Sequence, residues 1–340
     1  MTADLTTSLH NRQNILNNPY ALSKIEEYLD LGGILFEGEV LFTKQQVAQI
    51  FDISDSTIEK YLATHPDELK NNGYKVLKLS KLRAFKALRD VSVIDYGDIP
   101  QTRPSLGVFT FRATLNLAML LTESDRARMI RSRILDIVID VMAERSGGHT
   151  KYINQRDLNY LPAAYQEFNY RQVFTTALND FVDMNKGKFG LYTDEVYKLV
   201  FKENTKEYKQ ILNLDKSDNA RDTMYAEVLT VISSVENGLA EAMKIKSEEL
   251  GRKLKPIELD EIIRTTELNP FLKPMIEDAR TKMASRDLGF RDALHHKLEA
   301  YVQSVPANDF EKFLGETSRS LQEQLADPET MAVFKRLKDR

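Results

Sequence analysis

The sequence predicts a mainly α-helical protein: a winged helix-turn-helix-like α+β domain over residues 1–146, then an α-helical domain over residues 151–340. Three observations predict it. Residues 44–63 read as two short amphipathic helices broken once. Strand-like segments lie on both sides of that pair. Beyond the paired glycines Gly147 and Gly148, apolar residues recur three and four positions apart almost without interruption.

Taking the elements in order, Gly33–Thr43 (GILFEGEVLFT) places apolar β-formers around a glycine-containing centre. Lys44–Ala63 (KQQVAQIFDISDSTIEKYLA) follows. Val47, Ala48 and Phe51 share one face of its first helix, and Ile58, Tyr61 and Leu62 share one face of its second. Ala48 is small where the helices cross, Asp52 tolerates the backbone needed at the corner, and Ile53 fills the gap between them. The outer face of the second helix keeps Ser54, Ser56, Thr57 and Lys60, groups suited to base edges and phosphates, with Ser54 or Asp55 as cap. Tyr74–Leu79 (YKVLKL) mixes apolar and basic residues like a half-buried strand. After an irregular stretch containing Gly97, Pro100, Pro104 and Gly107 come a short FTF strand, an apolar helix over 112–121 and a charged helix over 124–145. Ser146–Lys151 (SGGHTK) is the predicted linker.

In the second domain, periodicity predicts helices over 170–184, 193–201, 222–250, 258–268, 270–283, 290–302 and 309–325. Thr193, Pro256 and Asn269-Pro270 read as helix starts, and Asp222 as an acidic first-turn residue. Tyr160, Tyr165, Phe168, Tyr170 and Phe174 fit a helical core or a subunit contact better than a base-stacking platform. No repeat or low-complexity tract stands out.

Composition narrows the chemistry. With no cysteine in 340 residues, disulfides, thiolate metal sites and cysteine nucleophiles are excluded. The histidines, His10, His65, His149, His295 and His296, form no metal-ligand spacing, so neither a metal nor a cofactor is expected. Without a signal segment or an apolar run of about 18 residues, the expectation is a cytoplasmic protein with no membrane partner. The net charge of −4 hides a local excess of cations. From Lys70 to Arg89 the chain carries Lys75, Lys78, Lys81, Arg83 and Lys86 with no acidic residue, and Arg126, Arg128, Arg131 and Arg133 form a second cluster. Lys75, Lys78, Lys81 and Arg83 are therefore candidate phosphate contacts beside Ser54, Ser56, Thr57 and Lys60.

The segments VLFTKQQVAQIFDISDSTIEKYL and GVFTFRATLNLAMLLTESDRARMIRSRILDIV, spanning about Leu41 to Val141, resemble bacterial DNA-binding proteins of the RhuM type. They are also similar to the Bro-N, KilA-N and ORF6N modules of phage repressors and antirepressors. The resemblance implies a DNA-binding regulator of phage or mobile-element type and supports Thr57 and Lys60 as DNA contacts. A sequence-specific double-stranded DNA-binding regulator is thus expected, with no enzymatic activity, homodimeric because paired half-sites favour two-fold proteins. The 151–340 domain would serve self-association, regulation or binding of a protein partner.

One alternative is chemical. Arg291 and His296 carry the R-x4-H spacing that resembles HEPN ribonucleases, in which arginine clamps a phosphodiester and histidine moves a proton without metal. On a predicted helix the pair would make the chain a ribonuclease toxin with a DNA-binding autoregulatory domain. A protein-recruiting adaptor is the other alternative. The glycines of Met184–Glu195 lack the spacing of a phosphate loop and read as a turn. Arg221, Asp222 and Glu227 read as surface and cap residues.

Overall fold

The computed structural model describes residues 4–89, 104–148, 150–315 and 326–328. These residues are mainly helical, with one four-stranded antiparallel sheet. The chain divides into two compact units, Met1–Glu144 and Arg145–Arg340. No described helix is long and apolar enough to cross a membrane.

The first unit opens with α1 (Leu9–Asn17) and α2 (Pro19–Leu29), and the Asn18 side chain between them accepts from the Ala21 N–H at 3.1 Å to start the second. Strands β1 (Ile34–Phe36) and β2 (Glu39–Thr43) form a hairpin whose two turn residues, Glu37 and Gly38, both have positive φ. That twist suits a two-residue hairpin loop. Thr43 ends β2 and caps α3 (Lys44–Phe51) in a reciprocal capping box with Gln46. Asp52, at φ +54°, turns the chain, and α4 (Asp55–Thr64) follows. Then come α5 (Pro66–Asn71), β3 (Tyr74–Lys78), α6 (Leu79–Arg89), β4 (Ser105–Thr110), α7 (Phe111–Leu120) and α8 (Asp125–Ser146). Of the irregular stretch expected after Arg89, residues 90–103 lie outside the described residues. The FTF strand begins earlier than expected, at Ser105, and Phe111 already belongs to α7.

The strands lie in the order β1-β2-β4-β3. Opposed residues share a face, so the pairs Phe42–Phe109 and Tyr74–Phe109 define one side of the sheet. Phe42 and Phe109 join a helical core containing Val47, Phe51, Ile58, Leu115 and Leu117. The other side carries Leu41, Leu77, Leu106 and Val108, covered by Leu82 and Phe85 of α6. Phe85 meets Phe36 edge-on at 5.3 Å. The basic run after α5 is therefore a strand followed by a helix that lids the sheet, and its cations are spread over both.

The second unit contains α9 (Tyr160–Phe181), α10 (Lys188–Phe201), α11 (Thr205–Ile211), α12 (Ala226–Leu250), α13 (Pro256–Glu267), α14 (Lys273–Phe290) and α15 (Ala307–Leu314). Short 3-10 helices cover Thr150–Arg156, Ala220–Thr223 and His296–Tyr301. Helices α9 and α12 pack together along much of their length.

Several boundaries correct the sequence expectation. Helix α9 starts at Tyr160 because Pro162 falls in its first turn, where an N–H has no helical partner to lose. It stops at Phe181, and the backbone then bonds Leu254 on both sides, Leu254 N–H to Phe181 O at 2.7 Å and Asp183 N–H to Leu254 O at 2.8 Å. Thr193 is no cap: it lies inside α10 and its hydroxyl donates to Phe189 O at 2.7 Å. Asp222 belongs to a 3-10 turn, so Glu227 is the acidic residue in the first turn of α12. Pro256 does open α13, with Glu258 in its first turn. Asn269 accepts from the Phe271 N–H, but α14 begins only at Lys273, one residue before Pro274. The helix expected over 290–302 is absent: the chain leaves α14 at Phe290 and forms a 3-10 turn from His296. Helix α15 ends at Leu314, and residues 316–325 of the expected 309–325 helix lie outside the described residues.

Candidate nucleic-acid interface

Helix α4 is aimed by what holds its neighbours. The last carbonyls of α3 are engaged by the start of α8: the Ser124 hydroxyl donates to Phe51 O at 2.5 Å and Arg126 donates to Gln49 O at 2.9 Å. From α4 itself, the buried Tyr61 donates to Glu123 at 2.7 Å and accepts from the Thr122 N–H at 3.1 Å. Inward packing of Ile58 and Tyr61 turns the opposite face outward.

That outward face starts with a cluster of hydroxyls. Ser54 Oγ accepts from the Thr57 N–H at 3.2 Å and lies 2.7 Å from Ser56 Oγ and 3.0 Å from Thr57 Oγ1. Ser54 and Ser56 are exposed and Thr57 is half-buried. These short groups surround the positive end of the helix dipole, where an anion is favoured. Asp55 opposes that tendency, but Lys44 lies 3.1 Å from Asp55 and 2.6 Å from Glu59. Burial pushes the Lys44 pKa down; its bonds to Glu59 and Asp55 outweigh this and raise it.

Lys60, one helical turn further, donates to Glu123 at 2.8 Å. The Lys60 and Tyr61 hydrogen bonds hold the Glu123 carboxyl down at about 2, so the pair stays ionised at neutral pH. Both side chains are open to solvent. Exchange of this carboxylate for a phosphate costs little, because a solvent-exposed ion pair adds little to stability.

The basic run divides. Lys75 pairs with Glu39, and Lys81 pairs with Glu37 at 2.6 Å, on the side of the sheet lidded by α6. Lys78 shares the opposite sheet face with Tyr74 and sits across from Ser105. Ser105 and Tyr74 line a small pocket together with Lys44 of α3 and Glu59 and Leu62 of α4. Lys78 and Arg83 are exposed and make no ion pair among the described residues. The structure thus brings Ser54, Ser56 and Thr57 together at the start of α4, with Lys60 a turn along it, and sets Lys78 on the opposite sheet face from Lys75.

The arginines of the second cluster hold partners within the unit. Arg126 holds α3, Arg128 pairs with Asp125 at 3.0 Å, and Arg131 donates to Ala118 and Leu121 at the end of α7. Arg133 lies over the Tyr28 ring at 4.7 Å.

In the second unit the spaced pair Arg291 and His296 does not converge. Arg291 is buried, 3.2 Å from Asp287 and 4.8 Å over the Tyr225 ring, whereas His296 is exposed at the start of its 3-10 turn. The buried histidine is His295, held between Asp287 at 2.5 Å and Glu203 at 2.6 Å. Burial pushes its imidazole pKa down, but the bonds to Asp287 and Glu203 dominate and raise it to about 9. Its protonated form is therefore a structural cation in the core. Arg221, expected on the surface, is also buried: it pairs with Glu236 at 2.7 Å and with Glu167. Local spacing could not reveal either network: Glu203 lies 92 residues from His295, and Arg221 meets Glu167 and Glu236 of two other helices. Among the described residues no group of His, Asp and Glu is arranged to hold a metal ion.

No protein-family model matches this chain, and no curated protein or solved structure is significantly similar to it. Around α4, an exposed hydroxyl-rich helix start is followed by a lysine whose carboxylate partner is open to solvent.

Proposed function

We propose that this chain is a sequence-specific double-stranded DNA-binding regulator of phage or mobile-element type. It reads the major groove with α4 as the second helix of a helix-turn-helix, and β3, α6 and β4 take the place of a wing. The observation that carries this reading is the outward face of α4: the Ser54, Ser56 and Thr57 hydroxyls at its start, followed by Lys60, with nothing apolar among them. Side chains of this kind at the first turn of a groove-entering helix contact base edges, and flanking cations contact phosphates.

The helical unit would then self-associate, placing two copies of α4 on two half-sites. Ile257, Leu268 and Phe271, each about three-quarters exposed or more, supply apolar surface for that role. Selection of duplexes from a random pool by the purified full chain tests the reading. An enriched motif with two-fold symmetry is expected, and the Thr57→Ala/Lys60→Ala chain should lose enrichment at defined positions rather than everywhere. A pool that remains random would contradict sequence-specific binding. Sedimentation of the free protein, expected to give a dimer, tests the assembly.

A further inference from the structure

Leu79, at the junction of β3 and α6, combines two properties that rarely coincide. It is 80% exposed, and its backbone is in the left-handed region at φ +48°. An exposed leucine alone would be unremarkable. A left-handed backbone at a turn is ordinary for glycine, asparagine or aspartate, but a bulky side chain there is an outlier that persists only where the surroundings impose it. Here the hydrogen-bonded register of β3 runs up to Lys78, and Leu82 and Phe85 must reach the sheet three and six residues later. The chain has to bend sharply at residue 79, and the side chain placed at the bend is apolar and points to water.

The surroundings indicate what it would meet. Lys78 precedes Leu79 directly, and Arg83 lies one helical turn along α6 with its side chain exposed. Ser105, paired with Lys78 in the sheet, lines a pocket with Glu59 and Leu62 of α4. An apolar side chain set between cations matches a DNA duplex opened at one step: phosphates to the cations, unstacked bases to the leucine. A protein partner would offer Leu79 an apolar pocket, but the flanking exposed cations favour a polyanion.

We propose that Leu79 is a wedge that inserts from the minor groove between two base pairs and kinks the bound duplex. This rests on the DNA-binding reading and extends it to a mechanism of indirect readout: duplexes with a flexible pyrimidine–purine step under Leu79 bind best, because that step unstacks most easily. The strained, preset turn holds the side chain outward before DNA arrives, so no reordering is needed on binding.

The test uses a duplex selected by the full-length wild type, labelled at both ends for energy transfer, with 2-aminopurine placed in turn at successive steps. Wild type is expected to shorten the end-to-end distance and to raise 2-aminopurine fluorescence at one step. Leu79→Ala should still bind, with the bend and the fluorescence rise largely lost. Leu79→Gly, which adopts this φ without strain, should behave in the same way and keeps the test valid if the alanine variant folds poorly. A straight duplex in the wild-type complex, or an unchanged bend with both variants, overturns the wedge while leaving DNA binding intact. A wild type that selects no duplex at all overturns both.

Discussion

Two regions place their charges in opposite ways: the surface of the first unit around α4 and the sheet, and the core of the second unit. In the first, Lys44, Lys60, Lys75 and Lys81 meet carboxylates at or near the surface, and only Lys44 of these is substantially shielded. In the second, Arg221, Arg286, Arg291 and His295 are buried with their partners or against them. Surface pairs hold little stability and exchange partners readily, whereas a buried charge stripped of its partner is costly. The difference teaches where a ligand polyanion is accommodated. Phosphates can replace Glu123 at Lys60, but nothing from outside can replace Asp287 between Arg291, Tyr225 and His295.

The sharpest way to break this comparison is Asp287→Ala. It leaves Arg291 and protonated His295 without their shared carboxylate, and about 3–5 kcal/mol should be lost from the second unit in urea denaturation. A loss no larger than that of a surface pair would show the network to be dispensable.

The next effect is in pH. Because the folded pKa of His295 is raised, its contribution is fully present below the unfolded value near 6.5 and is lost as pH rises toward and through about 9. The melting temperature of wild type should therefore fall between pH 7 and 10 more steeply than that of His295→Gln, with cleavage of the chain excluded by electrophoresis. Parallel curves would mean that His295 is already neutral at pH 7. Glu123 behaves in the opposite sense: its depressed pKa keeps the carboxylate charged down to about 2, so its pairing persists across the whole neutral range.

Smaller, and on the other side of the comparison, Glu123→Gln frees Lys60 and removes a negative charge beside the proposed phosphate path. Duplex affinity should rise a few-fold, with a salt dependence steeper by up to about one counterion. Unchanged affinity would place Lys60 off the DNA. The smallest expected effect belongs to Lys75→Ala and Lys81→Ala, each within about 1 kcal/mol in stability. Both lie on the lidded side of the sheet, so they should also weaken DNA binding less than Lys78→Ala does.

Much of the first unit was legible in the sequence because its signals are local. The capping residue Ser54, the left-handed corner at Asp52 and the inward Val47, Phe51, Ile58 and Tyr61 all act within a few residues of one another. The hairpin around Gly38 follows from the same short-range chemistry. What stayed hidden is what distant residues do to each other. Lys60 and Glu123 are separated by five elements, and nothing in a charge run tells which cations already hold a carboxylate. The four arginines from Arg126 to Arg133 looked like a basic surface, yet each of them bonds a helix end or pairs within its own turn. Arg291 and His296 had a suggestive spacing, but spacing carries orientation only on a continuous helix, and the helix stops at Phe290. The neighbouring His295, without any spacing signal, is the one built into the core.

The most direct test of the central claim is a titration of the selected duplex with full-length wild type and with Thr57→Ala/Lys60→Ala at several salt concentrations. If α4 reads DNA, wild-type affinity falls linearly with the logarithm of salt, and the double variant, still folded, binds about tenfold weaker or more with reduced discrimination against a scrambled duplex. Equal affinity and equal discrimination for the two proteins would contradict it.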